Sequence, residues 1–171
     1  VQNLLGLTRI EEQGTNVTYS IQDFSEICEE MLLTYESLAF ENGQFIEENI
    51  SPHLYVKGND GQLRQLITII LDNAIKHSSE KDSIEVSLAS EKRHLVFEVS
   101  NPSRQYPPHI MQNLFNRFYQ AEGSHHHQDS FGLGLSIAKA IATHHKGKIS
   151  ASQEAGRFMI QLRLPMVHMN K

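Results

Sequence analysis

Asn73, Lys76 and His77 lie three and four residues apart in the run Leu71-Asp72-Asn73-Ala74-Ile75-Lys76-His77. On a helix they share one face, while Leu66, Ile67, Ile70 and Leu71 occupy the other side. An amide oxygen can ligate a hard cation such as magnesium. An ammonium can meet a phosphate, and an aromatic ring can cover a nucleobase. The set suits a magnesium nucleotide, although a polar stripe beside an apolar one is also the ordinary look of a solvated helix. A second stretch, Ser130-Phe131-Gly132-Leu133-Gly134-Leu135-Ser136-Ile137, points the same way. Glycines let a backbone approach a ligand, and the first turn of the helix that follows offers N–H groups to phosphate oxygens. Alone, such a stretch is a loop-to-helix turn. Residues 120 to 130 before it are polar with almost no apolar anchor, a loop that can close over a ligand.

These residues need elements to hold them. A helical ending over residues 1 to 12 breaks at Gly14-Thr15-Asn16. Residues 17 to 21 alternate as a short strand. Phe24, Ile27, Cys28, Met31, Leu32, Tyr35 and Leu38 form a helical stripe over 23 to 38, with Asp23 as its cap. Two short strands follow near 43 to 50 and 53 to 57. Asn59-Asp60-Gly61 starts the helix that carries Asn73, and Asp60 reads as part of its cap. Residues 83 to 90 and 94 to 100 form a strand pair, and 107 to 114 a short helix opened by proline. A helix from Leu133 to His145 stops at Gly147. Strands at 148 to 154 and 157 to 164 close the chain at Pro165. This order predicts an α+β fold, a two-layer α/β sandwich with helices on one face of a mixed sheet.

The bulk properties set limits. With 171 residues the chain can bury a real core. A net charge of -5 argues against a nucleic-acid partner. Cys28 is the only cysteine, so no disulfide forms within the chain and a cytosolic setting fits. No apolar run approaches the ~20 residues of a membrane span. Val1 begins inside a helical pattern without a charged leader, which suggests a piece of a larger protein, with any membrane anchor expected in the missing part. His125-His126-His127 are adjacent and point in different directions, a poor metal site. His144-His145 at a helix end suits partial positive charge.

The order "LRQLITIILDNAIKHS", "FNRFYQ", "FGLGLSIAKAIATHHKGKI" resembles the ATP-binding catalytic domain of sensor histidine kinases, of the GHKL superfamily with the Bergerat ATP-binding fold. The resemblance covers about residues 17 to 165, and residues 1 to 15 resemble the end of the family's dimerisation and phosphoacceptor hairpin. It implies ATP and Mg2+ as ligands. Asn73 then holds magnesium, Lys76 approaches the phosphates and His77 stands beside the adenine. Phe115, Arg117, Phe118 and Tyr119 match the phenylalanine box, with Arg117 and Tyr119 near the nucleotide. Gly132, Leu133, Gly134 and Leu135 match the glycine box that wraps the phosphates, and residues 120 to 131 become an ATP lid.

Several positions depart from the family. Ile69 replaces a frequent Asn, Gln120 a frequent Arg, and Ala155-Gly156-Arg157 is a reduced Gly-x-Gly-Thr. The largest departure is Ser100-Asn101-Pro102-Ser103-Arg104-Gln105-Tyr106-Pro107, where the family has Asp-x-Gly-x-Gly-Ile-Pro. Asn101 falls at the adenine-binding Asp and Tyr106 at the Ile. Asn101 can still accept a hydrogen bond, without the charge that roughly doubles its strength. A relaxed adenine pocket is expected.

The resemblance implies transfer of the γ-phosphoryl group to a histidine on the dimerisation hairpin, then to a response regulator, within a homodimer. The acceptor histidine is expected upstream of Val1, so no catalytic residue is expected within the chain. The domain would be cytoplasmic. The alternatives are a non-catalytic or weakly binding regulatory module on the same fold, or another GHKL ATPase.

Overall fold

The structure is a computed structural model and describes residues 17–116 and 133–169. The expected hairpin end, the lid, Arg117, Phe118, Tyr119, Gly132 and the triple histidine lie outside the described residues.

Seven strands make one sheet: β1 (Ser20–Asp23), β2 (Phe45–Ile50), β3 (Tyr55–Gly58), β4 (Ser83–Glu91), β5 (His94–Pro102), β6 (Lys148–Glu154) and β7 (Arg157–Val167). Their order is β1-β3-β7-β5-β4-β2, with β6 also paired to β7. The β2–β4 pair is parallel and every other pair antiparallel, so the sheet is mixed as predicted. The helices are α1 (Phe24–Glu41), α2 (Asp60–Lys76), α3 (Pro108–Asn113) and α4 (Gly134–His144). Alternation decides what the sheet buries: Leu95, Phe97 and Val99 of β5 and Phe158, Ile160, Leu162 and Leu164 of β7 are buried. They meet Leu63, Leu66, Ile67, Ile70 and Leu71 of α2 and Ile137, Ala138 and Ile141 of α4 in one core. Cys28 lies in that core, where burial first, then Glu29 and Asp23, push its thiol well above the ordinary value.

Local chemistry explains the boundaries. Asp23 caps α1 by accepting from the Glu26 N–H at 3.1 Å. The helix ends in a reciprocal turn: the Gln44 N–H donates to Ala39 O and the Gly43 N–H to Phe40 O, each at 2.9 Å. Gly43 takes the φ of 70° that this turn needs. Asn59 caps α2, its side chain accepting from the Gln62 N–H at 2.9 Å. Asp60 is therefore a first-turn residue and not the cap, and it pairs with Arg64.

Other expectations need correction. The first strand covers Ser20–Asp23 rather than 17 to 21, because its partner β3 offers only Tyr55–Gly58. The last strand passes Pro165 and reaches Val167. Pro165 stands opposite His94, where the β5 ladder ends and a missing N–H matters least. Beyond it, Met166 and Val167 pair with β3. At the end of α4 the left-handed residue is Lys146, at φ 57°, and not Gly147. Gly147 is required for close approach, since a Cβ there would lie 2.4 Å from Arg163 O. His145 is 5% exposed and accepts at Nε2 from the Asn59 N–H. It is therefore neutral, which overturns the expectation of positive charge there.

Candidate functional site

The C-terminal end of α2 is the first wall of the site. Gln44, delivered by the turn after α1, donates from Nε2 to Ile75 O at 3.1 Å and Ser78 O at 3.0 Å. These bonds hold carbonyls at and just past the helix end, where Ile75 O also accepts from the Ser78 N–H at 3.3 Å. Gln44 is buried and its Oε1 has no partner among the described residues. Across the helix, Tyr35 Oη donates to Asp72 Oδ1 at 2.6 Å. Burial first, and then Asp72, raise the Tyr35 hydroxyl well above its ordinary value, so it stays a donor. Both neighbours of Asn73 in the turn are thus fixed from outside.

Asn73 is half-buried, and nothing among the described residues hydrogen-bonds its side-chain amide. Lys76 closes the helix, while His77 is its C-cap at φ −95°, ψ 4° rather than a further residue of the helical face. Lys76 and His77 open onto a cleft of about 620 Å3, within the size range of small-ligand sites. Its far wall is Ser103, Arg104, Tyr106 and Gly156.

Tyr106 joins the cleft to the sheet. Its ring packs edge-on against Phe158 with centroids 5.8 Å apart. Arg104 lies over the same ring at 5.7 Å, in cation–π range. Gln153 of β6 holds its backbone at both ends: the Tyr106 N–H donates to Oε1 at 2.8 Å and Nε2 donates to Tyr106 O at 2.7 Å. Asn101 stands directly opposite Phe158 in the β5–β7 ladder. Its Nδ2 donates to Pro102 O at 3.0 Å, which turns the amide oxygen the other way. Asn101 is 1% exposed and does not line the cleft.

The start of α4 packs beside α2, outside the lining of the cleft. The N-cap Leu133 makes no side-chain cap bond, and the first amides of the helix lack intrahelical acceptors. A Cβ on Gly134 would lie 3.5 Å from Ile69 Cγ2, one turn before Asn73. The helix N-terminus therefore packs against the turn of α2 that precedes Asn73. Leu135 is buried in the core, so only its backbone can face a ligand.

Of the expected residues, Lys76, His77 and Tyr106 line the cleft, while Asn73, Asn101, Leu133, Gly134 and Leu135 do not. Sequence reasoning passed over Gln44, Gln153 and Arg104. Their contacts are long-range or depend on loop shape, and no spacing marks them. Arg157 was seen only as a degraded motif. Its guanidinium donates to Ser100 Oγ at 3.1 Å and to Ser100 O and Ser83 O at 3.0 Å.

Residues 58–168 match the family described as histidine kinase-, DNA gyrase B- and HSP90-like ATPases. The chain belongs to that family. This ATPase domain is 43% identical over 166 residues to the sensor protein DltS of Streptococcus agalactiae, covering 97% of the chain and 42% of DltS. It is 30% identical to the sensor protein KdpD of Clostridium acetobutylicum, covering 96% of the chain and 18% of KdpD. The chain thus spans less than half the length of either relative. Among solved structures, the histidine kinase AdeS of Acinetobacter baumannii superimposes at a TM-score of 0.76 with 20% identity, covering 98% of this chain and 77% of that one. A mycobacterial sensor histidine kinase, MprB, gives 0.76 at 22% identity, covering 88% and 100%. Those two likenesses concern the fold. Among the described residues no helix is long and apolar enough to cross a membrane.

Proposed function

We propose that this ATPase domain is the nucleotide-binding catalytic part of a two-component sensor histidine kinase. It presents Mg-ATP to a histidine on a dimerisation hairpin, and the phosphoryl group then passes to a response regulator. The observation that carries the reading is that the α4 N-terminus packs against α2 one turn before Asn73, on the helix whose end, Lys76 and His77, opens onto the cleft. Phosphoryl transfer depends mainly on positioning and charge neutralisation, and these groups supply both.

The Asn73 amide fits magnesium. It is a neutral oxygen donor without a hydrogen bond among the described residues. Magnesium takes few protein ligands and completes its shell with phosphate oxygens and water. When bound, the ion would neutralise phosphate charge. Lys76 adds a cation, the first amides of α4 from Gly134 and Leu135 donate to phosphate oxygens, and His77 offers a ring to the base. The family resemblance would add Gly132, Arg117 and Tyr119, which lie outside the described residues. Asn101, its amide oxygen turned away from Pro102, is the acceptor for the adenine amino group. The full-length protein is a homodimer whose membrane anchor lies outside this chain.

Calorimetric titration of the chain with ATP, with and without magnesium, tests the reading. Binding that strengthens with magnesium supports it, and silence at millimolar ATP refutes it. Joining the upstream hairpin should yield acid-labile phosphohistidine. The burial of Asn101 favours a second reading, a regulatory module that binds nucleotide weakly or not at all. Silence at millimolar ATP would select it.

A further inference from the structure

Asn101 presents an obstacle to any base that would pair with it. At 1% exposure its amide cannot be reached unless a neighbour moves. Phe158 is its cross-strand partner and is itself 1% exposed, anchored in the middle of the β5–β7 ladder. Tyr106 differs. It is 5% exposed, it lies outside any helix or strand, and its ring covers Phe158 while facing the cleft. The segment that carries it is tied at two points to the β6–β7 hairpin, by the Ser103 N–H to Gly156 O at 2.9 Å and by the Gln153 clamp. The open cleft lies on the Lys76–Arg104 side, where the groups are cationic and polar.

We infer that Tyr106 is the residue that sets nucleotide affinity at the base end: its ring fills the base position against Phe158 and must leave before a purine reaches Asn101. This inference rests on the proposed nucleotide site. Lys76 and Arg104 line the open cleft outside that ring, so the cost of moving Tyr106 falls on the base of a ligand whose phosphates meet those cations. Apparent affinity is reduced by the fraction of molecules in which the ring has left. Gln153 raises that cost by holding the Tyr106 backbone.

The test measures binding of Mg-ATP, adenosine and Mg-tripolyphosphate to the whole chain by calorimetry. Tyr106→Leu keeps an apolar side chain and removes the ring. It is expected to bind Mg-ATP and adenosine at least ~10-fold more tightly, as a tenfold rise in the competent fraction requires, with tripolyphosphate unchanged. Gln153→Ala leaves the ring in the core and releases its backbone, and should shift the same two ligands in the same direction. If Tyr106→Leu does not unfold as cooperatively as the parent chain, Gln153→Ala decides. Unchanged or weaker adenosine binding in the folded variants overturns the role of Tyr106, as does an equal gain for tripolyphosphate. Where the parent chain binds Mg-ATP, that failure touches Tyr106 alone. Should neither parent nor variants bind any nucleotide, the inference and the nucleotide site fall together.

Discussion

His145 Nε2 accepts a hydrogen bond from the Asn59 backbone N–H at 3.1 Å, joining the end of α4 to the start of α2. Because an amide can only donate, Nε2 carries no proton and Nδ1–H donates to Ile141 O at 2.8 Å. The two helices that frame the site are thus pinned by one neutral imidazole, with the Tyr19 ring tilted against it at 5.1 Å between centroids.

A pH dependence follows. Burial first, helped by neighbouring His144, lowers the His145 value below that of an ordinary histidine, against the opposing bond to Ile141. The unfolded chain therefore binds the proton more readily than the folded one. The contribution is fully present above the ordinary value of about 6.5 and is lost as pH falls through it. Urea unfolding between pH 7.5 and 5 should show stability dropping toward acid, with a smaller drop in His145→Gln. Equal slopes in the two proteins would contradict this assignment.

Gln44→Leu should loosen the site from a distance. It takes the Gln44 donor from Ser78 O and leaves Ile75 O only the longer bond from the Ser78 N–H at 3.3 Å, at a cost of roughly 1–3 kcal/mol for a buried group left unsatisfied. Denaturant midpoints give the stability loss. Nucleotide titration of the folded variant should also show weaker binding, since Lys76 and His77 lie in the turn that Gln44 fixes.

How far the sequence revealed this architecture depends on the range of the forces involved. The α1 and α2 spans were legible because apolar period and cap chemistry are local: Asp23 and Asn59 both mark helix starts within three residues of their hydrogen-bond donors. The β4–β5 hairpin was legible for the same reason. The end of β7 was not, because Met166 and Val167 are strand only through pairing with distant β3. In the site, Lys76 and His77 stand out by type and spacing and Tyr106 by its place in the family motif, and all three line the cleft. Gln153 was invisible, since its two bonds to Tyr106 join residues 47 apart. The charge state of His145 was misread because helix-end electrostatics is a local rule, while its burial and its Asn59 partner are tertiary facts.

Arg157 does structural work at the place where a glycine motif is reduced. Its fork reaches Ser100 Oγ, Ser100 O and Ser83 O, and lies 3.6 Å from Glu85. Arg157→Ala should cost about 1.5–3 kcal/mol, the range for hydrogen bonds to a charged group. Arg157→Lys should recover little, because an ammonium cannot match the planar fork. Thermal unfolding of both variants checks the order, and a fully rescued lysine variant would refute it.

Asn73→Ala separates binding from folding. Its amide has no hydrogen bond among the described residues, so stability should change by no more than about 0.5 kcal/mol. ATP titrations should lose most of their dependence on magnesium while retaining the magnesium-independent part. Unaltered magnesium dependence would remove Asn73 from the metal site.

Asn101→Asp is the substitution that restores an acid at the base end, yet the surroundings predict that it fails. Asn101 Nδ2 donates to Pro102 O at 3.0 Å. A carboxylate oxygen in its place would face that carbonyl without a proton, at a position only 1% exposed. The lost bond and the buried charge together should lower stability by roughly 2–4 kcal/mol. The acid should accordingly take up a proton at a pH above the ordinary carboxylate range. Nucleotide affinity should not improve in the single variant, because Tyr106 still covers the position. In the double variant with Tyr106→Leu the acid becomes reachable by solvent and by a base, so part of the stability loss should be recovered and adenosine binding should exceed that of Tyr106→Leu alone. Chemical unfolding and calorimetry on the two single variants and the double variant measure this coupling, and strictly additive effects would show that Asn101 and Tyr106 act independently.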